Sequence, residues 1–413
     1  MFTDNKPIKI DFIGLFLLLF FCVFYGHARP NITIYHFTID VRYITFLALI
    51  IFTFFGLLTD IINRRFNLRQ YTFFAWYAVF FLFCCFSLTW SLNYSTSLEQ
   101  ITTMFSNIAV LFVVVYYVNS PEKFMRIIKI QLLAFLYMCM RLIIFIPEWH
   151  VFGRGRNLRF IEEITGSHYN ALAIYLTFGI ILAAFLYLET KQRRYLLIIP
   201  FFYYVTFLGG SRQGAVIPIA GLFVMYALVK GFRQVYKTII ALVLIVVLLI
   251  FFINSDLPGA RAMLSLVNGF LGETGEVSFN ERTLLREMAA SMFFQKPVFG
   301  WGVNSFKAYL GHISIYLLPY SSHNTYLEIL ACLGVAGFII YYSMHVRIII
   351  QAVRRYSTKN LYAVFTLSML FSVLLLEYGE SLFHGRYGLA SATALFCAFY
   401  SLKLSNQKPE ENR

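Results

Sequence analysis

The chain has 413 residues, 59% of them hydrophobic and only 13% charged, with a mean hydropathy of +0.70. This excludes a soluble globule, because repeated apolar runs of about 20 residues read as helices that cross a bilayer. The net charge of +14 does not mark a nucleic-acid binder: Lys and Arg concentrate in alternate loops, where they set topology and attract anionic lipid.

The fold class that follows is all-α: a polytopic integral membrane protein of about twelve transmembrane helices, forming a single domain over residues 1–413. In chain order the expected spans are Ile10–Tyr25, Val41–Ile62, Tyr71–Trp90, Ile101–Val118, Ile127–Ile146, Tyr169–Leu188, Tyr195–Leu208, Ala215–Val229, Thr238–Ile253, Thr325–Met344, Leu361–Leu376 and Gly388–Leu402. No Ala-x-Ala-like site follows the first, which therefore reads as an uncleaved span. The six cysteines all fall inside apolar segments and read as packing residues. The basic loops Asn63–Gln70, Asn119–Lys129, Glu189–Arg194, Lys230–Lys237 and Arg347–Lys359 mark the cytoplasmic side, which puts both termini inside.

One polar interruption, residues 255–324, is much longer than the other loops and lies on the opposite, outer side. Within it, Ser278-Phe-Asn-Glu281 has the form of a capping box. The helix it would open runs to about Gln295, before Pro297. Leu284, Leu285, Met288 and Met292 form an apolar stripe, and Arg282 and Arg286 sit one turn apart on another face. The expectation is an amphipathic helix lying on the outer membrane boundary.

The outer loops should be poor in Arg, so their exceptions carry information. Arg154, Arg156 and Arg159 crowd the loop after the fifth span; Arg212 sits in Gly209-Gly-Ser-Arg-Gln-Gly214; Arg261, Arg282 and Arg286 lie in the long loop; Arg386 is in the last outer loop; Arg141 lies within the fifth span. Cations at membrane depth are costly and raise a functional reading, against the plainer one that Arg141 snorkels to the headgroups. Guanidinium groups converging on one face suit a phosphate-bearing ligand, whose oxygens they pair bidentately. A lipid-linked pyrophosphate fits, its tail in the bilayer and its head in this layer.

His323 offers a base. Thr325-Tyr-Leu-Glu328 reads as a second capping box, so His323 falls just before a helix N-terminus. The positive end of that dipole disfavours imidazolium and leaves the ring able to accept a proton. A His that only caps the helix or donates a hydrogen bond is the alternative, with Glu162, Glu163 and Glu328 the substitute bases. His168, His312 and His384 have nothing comparable around them.

Taken together, Gly-Ser-Arg212-Gln-Gly, then Arg282 with Pro297-Val-Phe-Gly-Trp-Gly302, then the run from His323 through Gly334 to Gly337 resemble the O-antigen polymerase/ligase family. The resemblance spans roughly Ser167 to Gly337 in motif order, and the whole chain in span number and loop placement. It implies a bacterial inner-membrane enzyme acting on undecaprenyl-pyrophosphate-linked glycans at the periplasmic face. It further implies that Arg212 and Arg282 bind the donor pyrophosphate and that His323 serves the acceptor; Arg286 and Arg261, cations of the same long loop, are expected to join in binding the pyrophosphate. Arg141, Arg154, Arg156, Arg159, Glu328 and Arg386 are supporting candidates.

Glycosyl transfer is then inverting and metal-independent, with no cofactor. The Asp residues (Asp4, Asp11, Asp40, Asp60, Asp256) form no Asp-x-Asp motif. A polymerase passing the chain to another lipid-linked repeat is the expectation, with a chain-length regulator protein as a further partner. A ligase transferring it to lipid A–core is the alternative. A flippase is disfavoured because the charges gather at one face rather than along a central cavity.

Overall fold

The computed structural model describes residues 11–26, 31–34, 37–65, 67–145, 169–208, 211–231, 236–237, 240, 274–313, 321–383 and 385–405. The ninth expected span, most of the long loop before Thr274, and Arg154, Arg156, Arg159, Glu162, Glu163, His168, Arg261 and His384 lie outside them. So do the side chains of Arg212, His312 and Arg386.

The described elements are α1 Phe12–Gly26, a short antiparallel hairpin of β1 Asn31–Ile34 and β2 Phe37–Asp40, α2 Val41–Ile62, α3 Thr72–Ser87, α4 Tyr94–Tyr117, α5 Pro121–Phe145 and α6 Tyr169–Thr190. They continue with α7 Arg194–Leu208, α8 Arg212–Lys230, α9 Thr274–Gln295, α10 Ser305–Ile313, α11 Thr325–Arg354, α12 Leu361–Gly379 and α13 Gly385–Leu404. Among the described residues the molecule is all-helical apart from that hairpin. Seven of the described helices are long and apolar enough to cross a membrane, and α1, α7 and α8 carry shorter apolar stretches. α6 is the central helix, with 89% of its apolar window buried, whereas α2, at 17%, faces outward. Around α6 pack α5, α7, α8 and α12.

The element that positions everything else is α11, and it is not a straight span. At Gly334 the backbone takes φ 65° and ψ −168°, a region essentially reserved for glycine. A straight helix would hold residues 326 and 342 about 24 Å apart, yet the rings of Tyr326 and Tyr342 stack with centroids 5.2 Å apart. The two arms, Thr325–Leu333 and Val335–Arg354, therefore fold back on one another. The single straight span expected over Thr325–Met344 is corrected accordingly.

The break frees backbone groups that cannot be left unpaired in an apolar setting. The Pro297–Gly302 segment satisfies them: Val335 N donates to Pro297 O (2.8 Å), Ala336 N to Val298 O (3.1 Å), Trp301 N to Ala331 O (3.1 Å) and Gly302 N to Cys332 O (2.7 Å). A Cβ on Gly334 would collide with the Val298 carbonyl, and one on Gly300 (φ 65°) with Cys332 and Leu333 backbone. The glycines in this stretch are thus explained by backbone-to-backbone contact.

Two further expectations change. α9 opens at Thr274, so Ser278 is inside the helix and is not its N-cap. Leu285, Ala289 and Met292 are buried while Leu284 is 44% exposed, and α9 packs against α11; its apolar stripe is used on protein. At α11, the N-cap is Asn324, whose side chain accepts from Leu327 N. Thr325 Oγ1 instead donates to Glu380 O (2.7 Å), and Glu328 turns to Ser322, so the second capping box is not formed.

Replacing Gly334 by Ala should destabilise the protein by about 1–3 kcal/mol or more, from the strained backbone plus the clash. Val335→Ala next to it, at a 41% exposed position, should stay within about 0.5 kcal/mol. Thermal unfolding in detergent measures both; equal stability of the two variants would contradict the packed break.

Candidate active site

The fold-back of α11 brings His323 against the end of α12. His323 adopts φ +49°, a left-handed conformation uncommon for a residue with a Cβ, though less so for His. It is held there by its neighbours. Ser322 Oγ donates to Asn324 O (2.8 Å). Arg286 Nη2 donates to the carbonyls of Tyr378 (3.0 Å) and His323 (3.4 Å), its guanidinium 4.8 Å over the Tyr378 ring. Asn324 Nδ2 also donates to Tyr378 O (3.2 Å).

The ring points at Glu380, with Nδ1 2.9 Å from Oε2. A buried carboxylate can only accept, so Nδ1 carries the proton and the Nε2 lone pair is left for an incoming group. The His323 side chain is 19% exposed and that of Glu380 6%, so the pair opens on one side only. Among the described residues none hydrogen-bonds Nε2.

Glu380 is the hub of the site. Its Oε1 accepts from Asn170 Nδ2 at 2.6 Å and from Arg282 Nη2 at 3.4 Å. Asn170 Oδ1 in turn accepts from Ser211 Oγ (3.2 Å), and Ser211 is the N-cap of α8, accepting from Gly214 N (3.4 Å). Gln213 Nε2 ties the same turn to Gly379 O (2.9 Å). A Cβ on Gly214 would come within 2.6 Å of the Ala173 Cβ, so this turn sits directly on α6. One carboxylate thereby joins α6, α8, α9, α11 and α12.

The sequence candidates fall into three groups. Arg282 and His323 converge on Glu380, and the backbone of Arg212, residue one of α8, is next to Ser211. Arg286 is adjacent, but its Nη2 is engaged with backbone carbonyls, and its Nε is buried without a partner among the described residues. Glu328 is 2% exposed and accepts from Ser322 N, Ser322 Oγ (both 2.8 Å) and Ser381 Oγ (2.5 Å), which locks the His323 turn to the Glu380 turn. Arg141 is half-buried near the end of α5.

Sequence reasoning overlooked Glu380, Asn170 and Ser211. The signal for Glu380 was present: an acidic residue at the end of a span, Glu377-Tyr-Gly-Glu380, is subject to the same argument as the arginines at span ends. Among the described residues no three His, Cys, Asp or Glu side chains are grouped to hold a metal ion.

The fold and the site define a multi-pass membrane protein with a carboxylate–histidine pair set beside arginine. Residues 195–342 match the family model described as O-antigen ligase. The matched segment is about a third of the chain, and over it the protein is similar to the O-antigen polymerase/ligase family. It includes Arg212, Arg282, Arg286 and His323; Asn170 and Glu380 lie outside it. No curated protein matches the chain.

With histidine-selective ¹⁵N labelling, the resonance lost in His323→Gln should report the tautomer that carries its proton at Nδ1. In Glu380→Gln, whose amide can either donate or accept, that tautomer preference should weaken. An Nε2-protonated ring in the wild type would contradict the pairing.

Proposed function

We propose that the chain polymerises undecaprenyl-pyrophosphate-linked oligosaccharide repeats into O-antigen, capsular or exopolysaccharide, by inverting, metal-independent glycosyl transfer. The basic loops support a periplasmic site on a bacterial inner-membrane protein with both termini cytoplasmic. The whole chain acts as one membrane domain, with a chain-length regulator as its accessory partner.

The observation that carries the reading is the contact of His323 and Arg282 with the same carboxylate. In the reaction, the acceptor hydroxyl oxygen attacks the anomeric carbon of the donor's first sugar and its proton passes to His323 Nε2. The bond from that carbon to the pyrophosphate oxygen breaks, and the electron pair leaves with the phosphate. A single displacement of this kind inverts the anomeric centre. Glu380 holds the ring in the accepting tautomer and stabilises the imidazolium that forms.

Charge developing on the pyrophosphate is met by Arg282, which keeps N–H donors beyond the one given to Glu380, and by Arg212. Arg286 supports the site from its backbone contacts. Arg261, Arg154, Arg156, Arg159, Arg141 and Arg386 are proposed only as contributors to the cationic surround. The ligase reading is kept as second, because the matched model is described as O-antigen ligase. The polymerase is preferred because the long-loop sequence carries no feature that marks a lipid A–core site.

Purified protein given lipid-linked repeats alone should produce a ladder of lengths on a gel. Product formed only when lipid A–core is added would establish the ligase instead. His323→Gln should lower turnover by about 10²–10⁴-fold, the range for a positioned base. Arg282→Lys should recover little of what Arg282→Ala loses, since the planar fork is gone. Near-normal turnover of both the Gln and the Lys variants would remove the proposed chemistry.

A further inference from the structure

On the far side of the α11 break lies an open groove of about 600 Å³, almost entirely apolar, lined by Trp90, Lys296, Pro297, Val298, Phe299 and Gly300. Val298 and Phe299 are more than half exposed, and Trp90 meets Phe299 edge-on with centroids 6.0 Å apart. Two polar features interrupt the apolar wall. Lys296 is exposed, its Nζ 3.8 Å over the Trp301 ring. The Trp90 indole N–H is buried and has no partner among the described residues. An apolar trough with one cation at its rim is complementary to a hydrocarbon chain with an anionic head.

The groove is separate from the His323 centre but mechanically joined to it. Lys296 follows α9 directly and lies ten residues beyond Arg286, about 15 Å along the helix. Gly300 packs on Cys332 and Leu333, about 12 Å along the first arm of α11 from its start beside His323. Both paths separate the groove from the His323 turn by more than two helical turns.

That separation has a chemical reading, which rests on the polymerase proposed above. The donor's bond to pyrophosphate is the bond that breaks, so its phosphates must sit at His323 and Arg282. The acceptor reacts through a hydroxyl at the far end of its oligosaccharide, and its own pyrophosphate remains intact several sugars away. A polymerase therefore requires a second lipid-pyrophosphate anchor at a distance from the first. We propose that the Trp90–Phe299 groove, with Lys296 at its rim, is that anchor, and that it seats the polyprenyl chain and pyrophosphate of the acceptor repeat unit. The Pro297–Gly302 segment then has two faces: one mends the broken helix under the base, the other holds the second substrate.

The test compares two acceptors with the wild type, Lys296→Glu and Val298→Trp, the last filling the trough. One acceptor is the lipid-pyrophosphate-linked repeat; the other is the same oligosaccharide released from its lipid. The wild type should show the lower KM for the linked acceptor. Lys296→Glu should raise that KM about tenfold or more, equivalent to about 1.4 kcal/mol, bringing it toward the value for the released sugar with kcat retained. Val298→Trp should do the same without touching charge. An unchanged ratio of the two KM values, or an equal loss on both acceptors, overturns the anchor.

If the wild type elongates neither acceptor, the polymerase reading has failed, and the groove is judged by labelling alone. A diazirine-bearing polyprenyl pyrophosphate should mark residues 297–300 in the wild type and not in Lys296→Glu. Equal labelling by a diazirine-bearing phosphatidylglycerol would show a groove filled by bulk lipid and would overturn the proposal.

Discussion

The site depends on one shared carboxylate. Glu380 is almost wholly removed from solvent, and a charge so placed is costly unless it is paired and hydrogen-bonded. Asn170 and Arg282 supply those bonds from two separate helices, and His323 from the turn before a third. Removing any of them leaves part of a buried charge unsatisfied, so the energy that holds the helices together also fixes the geometry of the base. Arg286 and Glu328 act one step further out. The first grips the backbone of the His323 and Tyr378 turns, and the second pins Ser322 to Ser381.

The second constraint is the break at Gly334. Had α11 continued straight, His323 would stand a helix-length away from Tyr342 and from the Glu377 carboxylate that the Tyr341 and Tyr342 hydroxyls contact. The fold-back instead sets the His323 arm beside the C-terminal end of α12, where Thr325 Oγ1 bonds Glu380 O. The Pro297–Gly302 segment makes this tolerable by giving the freed amides their carbonyls. Fold and chemistry therefore meet in two short segments, residues 297–302 and 321–325, separated by α10 and residues outside the described structure.

Much of the fold was legible in the sequence, because apolar runs and basic loops report directly on burial in lipid. The helices from Val41 to Thr190 and from Leu361 to Leu404 fall where periodicity and composition place them. Sequence reasoning singled out His323 by its place before a helix and Arg282 as a cation in the long loop, and the structure brings both to Glu380. What could not be read was pairing. Asn170, Ser211, Arg282, His323 and Glu380 are spread over 210 positions between Asn170 and Glu380, and no local pattern joins them. The second capping box failed for a related reason: Thr325 and Glu328 had better partners across the fold than along the helix, in Glu380 O and Ser322. The glycines at 300 and 334 read as motif letters until their backbone neighbours were known.

The central claim is that His323 and Glu380 act as one unit, and a double-mutant cycle in turnover tests it most directly. His323→Gln, Glu380→Gln and the double variant are compared with the wild type on the same lipid-linked substrate, with unfolding temperature as a check on integrity. If the carboxylate works through the ring, the double variant should be little slower than the slower single one, because the second change removes nothing that is left. If instead the two losses multiply, the residues contribute independently, and the account of a carboxylate-oriented base is contradicted.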